Sequence, residues 1–356
     1  MEPGQLTSRV TLADVSRRAG VALSTASLVF SGRGSVSAAT AERVRRAAAE
    51  LEYPGPDPRG AQLRTRRTRV IGVSYDGTLA GAFADPYQVA LLGGFSEVLD
   101  EEGYGLLLLP EPAETHGTGL AGHGLDAVLF AVCGTLTRSD LDALVARRLP
   151  LLGTGAPDDP RVVQLTIDDR GGIAAAVEHL RGLGHRRIGH VLMPLAEGAP
   201  ARLVDPAAAL ASDYLDTRQR AAGFLDAGGS PDLLAVATDL SVEDGHAAAL
   251  LLLDAADPPT ALVCQSDLLA FGAMRAAGER GLSVPGDVSV TGFDGIEAPW
   301  FAGTLTTIDQ RAAAKGRELG RMMLGLLHGD PVASREFPVR LRVGTTTTTA
   351  PRRTDG

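Results

Sequence analysis

The sequence predicts an α + α/β chain: an N-terminal three-helix headpiece containing a helix-turn-helix and followed by a hinge, then two doubly wound parallel-sheet subdomains. Three observations set its division into a basic head and a larger α/β part. At 356 residues, with 44% hydrophobic and 22% charged positions, the chain is longer than one compact core usually organises. The net charge of −9 divides unevenly: residues 1–69 carry twelve Arg against six Asp or Glu, or +6, and the remaining 22 basic and 37 acidic residues give −15. Beyond residue 70, short apolar runs alternate with helical stretches, the pattern of a parallel sheet covered by helices.

The head begins at Thr11, which precedes the apolar series Leu12, Val15 and Ala19 and has Asp14 three positions on, the spacing of a capping box. Gly20 supplies a turn. Val21, Ala26, Val29 and Phe30 then recur at helical spacing, leaving Leu23, Ser24, Thr25, Ser27 and Leu28 on the outer face. Ser37 opens a third helix with Val44, Ala47, Ala48 and Leu51 along one side and Arg43, Arg45 and Arg46 elsewhere. Periodicity alone fits either a generic three-helix bundle or a helix-turn-helix, and a basic segment alone fits either a solvated face or a nucleic-acid contact surface.

The residues themselves narrow the choice. The string from Val10 to Val21, then Ser24-Thr25-Ala26-Ser27, Val36 to Thr40 and Leu51-Glu52-Tyr53, resembles the headpiece of the LacI/GalR repressor family. The resemblance implies that Leu23, Ser24 and Leu28 read bases, that Thr25, Ser27, Thr40 and Tyr53 contact or orient against phosphates, and that Leu12 and Ser37 belong to the same DNA-binding set. Two departures from the family pattern stand out. Ala22 replaces the usual capping serine, a loss worth about 0.5–2 kcal/mol. Leu28 stands where relatives are often polar or basic, which favours apolar contact with a thymine methyl over a bidentate bond to guanine.

Residues 54–69 read as a linker, dense in Pro, Gly and Arg. The family pattern implies that Leu63 wedges into the minor groove from a short hinge helix. Pro58 and Gly60 oppose that helix, and a flexible tether making phosphate contacts is the alternative.

The domain at 70–350, before a tail at 351–356, is expected to bind an effector and to dimerise. Thr166 to Asp169, Gly184 to Ile188, Ser266 to Gly272, Val284 to Asp294 and Leu305 to Ile308 continue the resemblance, which implies a fold shared with periplasmic sugar-binding proteins. It matches Arg220 to a ligand-clamping arginine and Asp294 to a hydroxyl-binding carboxylate, a pair suited to polyols. Tyr87 would stack on an apolar ring face, with Asp168, Ser266 and Asp267 near the rim. The segments after Pro110 and from Met193 to Asp216 depart from the pattern and leave the effector open.

Other chemistry finds little support. Gly117 to Gly122 matches a dinucleotide glycine pattern but opens no helix, and Ser74 lacks a nucleophile elbow. His179, His185 and His190 lack metal-ligand spacing and suit surface or helix-end roles. Cys133 and Cys264 read as reduced thiols in strands. No apolar run is long enough to span a membrane, and the first residues lack a secretory apolar core, so a cytoplasmic protein is expected. The expected protein is a homodimeric repressor, without metal or cofactor and not an enzyme, that binds a palindromic double-stranded DNA operator and responds to a sugar-like effector. A small-molecule-binding protein without regulatory DNA binding is the alternative.

Overall fold

The computed structural model describes residues 10–31, 35–55, 68–75, 78–110, 119–131, 138–196 and 198–351. Leu63 and Cys133, named above, lie outside them. The chain divides into two compact units, Met1–Thr68 and Arg69–Gly356.

The first unit holds α1 (Leu12–Ala19), α2 (Leu23–Ser31) and α3 (Ala38–Glu50). The capping box at α1 is complete: Thr11 accepts from the Asp14 amide, and the Asp14 carboxylate accepts from the Thr11 amide at 2.9 Å. Gly20 ends the helix at φ 67°, a conformation that favours glycine, and lets the Val21 amide reach back to the Ser16 carbonyl at 3.0 Å. Val15, Ala26, Val44, Ala47 and Ala48 form the buried core, with Leu12, Val21, Val29, Phe30, Leu51 and Tyr53 packed around it. Phe30 meets Tyr53 edge-on at 5.6 Å between ring centroids.

The second unit contains two sheets. A six-stranded sheet runs β12-β5-β4-β3-β1-β2, where β1 is Val70–Tyr75, β2 Gly105–Pro110, β3 Ala127–Phe130, β4 Leu151–Gly153, β5 Val163–Thr166 and β12 Arg335–Glu336. Its strand pairs are all parallel. A seven-stranded sheet runs β13-β11-β10-β9-β6-β8-β7, where β6 is Ile188–Leu192, β7 Arg202–Val204, β8 Leu234–Val236, β9 Ala261–Cys264, β10 Ser289–Asp294, β11 Thr306–Asp309 and β13 Arg340–Arg342. Here the parallel expectation meets two exceptions, because β7 and β13 pair antiparallel at the two edges. Neither was visible as a strand in the sequence, since both are three residues long and two of the three β7 residues are exposed.

Helices α4 (Leu79–Ala84), α5 (Pro86–Asp100), α6 (Arg138–Ala146) and α12 (Ala312–His328) accompany the first sheet. Helices α7 (Asp169–Gly182), α8 (Pro206–Leu210), α9 (Leu215–Asp226), α10 (Val242–Leu253) and α11 (Asp267–Glu279) accompany the second. The strand order therefore makes the chain cross between subdomains three times: after β5, after β11, and between β12 and β13. The α5–α12 crossing depends on glycine: a methyl at Gly94 would run into the Ala313 carbonyl oxygen, and one at Gly316 into that of Leu91. Around it pack Ile71, Val73, Phe95, Leu319 and Met323, all fully buried.

Several expectations need correction. His185, just past α7, and His190, within β6, are fully buried rather than superficial. His190 stacks on Phe224 at 4.3 Å, lies 2.8 Å from the Val263 carbonyl oxygen through Nδ1 and contacts the Gln265 amide nitrogen at 3.1 Å through Nε2. Burial holds its pKa down at about 3, so the ring is neutral. Cys264 is a buried free thiol in β9, as its sequence setting suggests. In the decoy glycine segment, Leu120–Gly122 form a short 3-10 turn.

Candidate functional site

On the head, α2 turns Ala26 into the core and leaves Leu23 52% and Leu28 40% exposed, with Ser24 also exposed and Thr25 and Ser27 half-buried. A leucine pair left this exposed on a nine-residue helix marks an apolar strip available to a partner. Ala22, whose methyl can accept no hydrogen bond, precedes α2, and its carbonyl accepts from the Ala26 amide at 3.1 Å. Ser37 caps α3, accepting from the Thr40 amide at 3.3 Å while its hydroxyl donates to Thr40 Oγ1 at 2.9 Å. Leu12 and Tyr53 pack half-buried against the head core. Arg43, Arg45 and Arg46 are exposed, whereas Arg17 pairs with Asp14 at 3.1 Å and Arg18 with Glu50 across α1 and α3.

In the second unit, a cleft opens between the subdomains. Its walls include Thr154, Gly155 and Thr166 at the carboxyl ends of β4 and β5, facing Asp168, Asp169 and Asp216 at the starts of α7 and α9. This is where ligands of doubly wound sheets bind. Arg220, on α9 next to the cleft-lining Gln219, is buried, with 5% exposure, and joins the cleft through its bond to Asp169 rather than as one of the lining residues. Its Nε donates to Asp169 at 2.7 Å, its Nη1 donates to the Gln265 carbonyl at 2.6 Å, and its guanidinium lies 3.8 Å over the Phe293 ring. Burial works against the charge, but Asp169, Asp216 and Asp294 outweigh it and raise the Arg220 pKa.

Asp294 ends β10 at φ 129°, in a region of backbone space that favours glycine and costs other residues about 1–3 kcal/mol. Its carboxylate accepts from Gln310 Nε2 at 2.8 Å and from the Asp267 amide at 3.3 Å. Burial and the nearby Asp267 carboxylate push its pKa well up, against the pull of Arg220. Asp267, expected at the rim, is instead fully buried. Its oxygens accept from Thr307 Oγ1 at 2.6 Å and from the Gly295 and Ile296 amides at 2.8 Å each, so it builds the floor under Asp294. Burial raises its pKa in spite of those donors.

Ser266, also expected at the rim, is instead buried and caps a helix, accepting from the Leu269 amide at 3.1 Å, and Asp168 caps another, accepting from the Gly171 amide at 2.8 Å. Asp168 also lines the cleft. Tyr87 does more than offer a ring face. Its hydroxyl donates to Gln310 Oε1 at 2.8 Å and accepts from Lys315 Nζ at 3.2 Å, which makes a chain Lys315–Tyr87–Gln310–Asp294 from the first subdomain into the second. Burial, then the Asp294 charge, push the Tyr87 phenol well above its ordinary range.

Asp169, Asp216, Gln310 and Lys315 escaped the sequence reading. One had a usable signal: Lys315 stands on the same helical stripe as Leu319, Met322 and Met323, a charged residue on a buried face. Among the described residues, no group of three or more His, Cys, Asp or Glu could hold a metal ion, and no helix is long and apolar enough to cross a membrane.

Comparison with known proteins agrees with both halves of this geometry. Residues 11–55 match the family model described as bacterial regulatory proteins, lacI family, and residues 177–347 match that of a periplasmic binding protein-like domain. An HTH-type transcriptional regulator of Mycolicibacterium smegmatis is 35% identical over 340 residues, covering 91% of each chain. Among solved structures, the lac repressor dimer bound to operator and the anti-inducer ONPF is similar at TM-score 0.75 and 27% identity, covering 96% of this chain and all of that one. The transcriptional regulator CelR in complex with cellobiose is similar at TM-score 0.65 and 29% identity, covering 95% of this chain and all of its own. With a relative this similar along nearly its whole length, the chain belongs to the LacI family of bacterial regulatory proteins, DNA-binding transcriptional regulators with a helix-turn-helix and a periplasmic-binding-protein-like domain.

Proposed function

We propose that this regulator is a repressor that binds a palindromic operator as a homodimer, in the cytoplasm where the chromosome lies, and that a sugar-like effector in the subdomain cleft changes its hold on DNA. The observation that carries the first part is the outward presentation of Leu23, Ser24 and Leu28 by a helix otherwise packed into the head. Two such helices related by a two-fold axis would read two half-sites, as suits a protein similar to a dimer solved on its operator. Thr25, Ser27, Thr40, Ser37, Leu12 and Tyr53 would support or extend that contact, and Leu63 would enter the minor groove. The working boundaries are a head at 1–53, a linker at 54–69 and a sensor at 70–350.

For the second part, Arg220 and Asp294 would divide adjacent hydroxyls of a polyol as donor and acceptor, with Tyr87 and Asp168 beside them and Ser266 and Asp267 supporting from below. A similar regulator has been solved with cellobiose, which makes oligosaccharides the first ligands to try. A ligand at Asp294 would compete with Gln310 for the carboxylate and so disturb the Tyr87–Gln310 link between subdomains. The test joins both parts: gel mobility with genomic fragments isolates bound DNA, and a saccharide panel is then added to the complex. Selective retention that one saccharide reverses supports the reading; equal weak retention of all fragments with no saccharide response refutes it.

A further inference from the structure

We propose that Asp169 is a specificity-determining residue that sets the cleft for an uncharged polyol and against phosphorylated ligands. The inference rests on the effector reading of the cleft and specifies its ligand class.

A buried arginine in a ligand cleft is, by residue type, the usual partner of a phosphate, because its planar fork offers paired N–H groups to an anion. In this cleft the fork is already engaged. Nε donates to Asp169 at 2.7 Å and Nη1 to the Gln265 carbonyl at 2.6 Å, while the guanidinium face rests 3.8 Å from the Phe293 centroid. Nη2 is the nitrogen outside these contacts; one nitrogen could serve a hydroxyl but could not make a bidentate clamp. Asp169 also cancels the charge that would attract an anion.

The surroundings add to the same bias. Asp168, Asp216 and Glu336 line the cleft with Asp169, and the buried Asp294 is a further carboxylate near enough for its charge to act on Arg220. Arg170, the cation on the cleft wall, is held by Asp226. Lys315, also buried, is engaged by Tyr87 Oη and Gln310 Oε1, to which it donates. A dianionic phosphate entering here would face several carboxylates of like charge, which repel it. Sugar hydroxyls suit the same groups, since each carboxylate oxygen can accept from one.

The probe is inorganic phosphate at about 20 mM against chloride at matched ionic strength, read as the melting temperature of the full-length protein. Phosphate contacts of the basic head are common to every variant and cancel. The wild type should show less than about 1 °C of phosphate-specific rise, whereas Asp169→Asn, which keeps the shape and frees the charge, should show about 3 °C or more. Adding Arg220→Met to Asp169→Asn should abolish the gain. Asp216→Asn, which removes a second acid acting on Arg220, should show a smaller gain in the same direction and serves if Asp169→Asn folds poorly. A phosphate rise in the wild type equal to that of Asp169→Asn, or no gain in either Asn variant, overturns the proposal. A neutral saccharide panel on the wild type bears separately on the effector reading, so the failure of one idea is distinguishable from failure of the other.

Discussion

The head and the sensor use their side chains in opposite ways. The head buries a core of one-carbon and three-carbon side chains, Val15, Ala26, Val44, Ala47 and Ala48, and keeps its larger Leu23 and Leu28 outside. The sensor buries large apolar clusters and, among them, groups that elsewhere would be solvated: Arg220, Asp267, Asp294, His190 and Lys315. A reader of DNA must show its specificity to the outside, and its small core leaves little stability to spare. A sensor of small molecules must hold polar groups at fixed positions in a dry place, which only a large core can support.

The sharpest way to break this contrast is to remove a buried charge from the sensor. Arg220→Met leaves Asp169 without its ion partner and should cost about 3 kcal/mol in urea unfolding of the sensor while leaving the helical melting of the head unchanged. Loss of less than about 1 kcal/mol would mean that the Arg220–Asp169 pair is better solvated than its burial indicates.

Acid should act in the same place. His190 is neutral when buried, with its pKa held at about 3 against an unfolded value near 6.5, so its contribution to stability is complete above pH 6.5 and declines as pH falls toward 3. Near pH 5 the loss from this residue is about 2 kcal/mol. Comparing the unfolding of wild type and His190→Gln between pH 7 and pH 5 checks it: the variant should lose less on acidification, and parallel losses would remove His190 from the explanation.

In the head, Val44→Ala removes two methyl groups from a core with few to spare and should cost about 1–2 kcal/mol there. Far-ultraviolet dichroism should then show an early helical transition ahead of an unaltered main one. A single transition shifted as a whole would show that head and sensor unfold together, contrary to two separate units.

Tyr87→Phe takes one hydroxyl from the chain linking the subdomains and should cost about 1 kcal/mol, with faster hydrogen exchange at the Gln310 crossover. Unchanged exchange there would reduce Tyr87 to a ring face, as the sequence first suggested.

Local chemistry explains which of these features were readable beforehand. The Thr11–Asp14 capping box, the Gly20 turn and the outward strip on α2 each depend on residues within one or two turns, and spacing alone locates them. The same holds for buried parallel strands such as Val70–Tyr75 and Ala127–Phe130, which declare themselves as apolar runs. The site is different. Asp169 lies 51 positions from the Arg220 it neutralises, and Tyr87 lies 223 from Gln310, so these partnerships exist only after the chain has crossed between its sheets. Asp267 and His190 were misplaced for the same reason: their polarity suggested solvent, while tertiary donors and acceptors satisfy them inside. The edge strands β7 and β13 borrow their conformation from β8 and β11, and at three residues each they are too short to declare a period of their own.

The claim beneath all of this is that the exposed strip of α2 carries the choice of DNA sequence. Selection of bound sites from random duplex DNA by wild type and Leu28→Arg tests it most directly. Leu28 is 40% exposed, so the substitution should change stability by less than about 0.5 kcal/mol. The account predicts that the wild type enriches a two-fold symmetric site and that Leu28→Arg enriches a different one, with guanine favoured at a fixed position in each half. Recovery of the same site by both proteins, or of no site by the wild type, would contradict it.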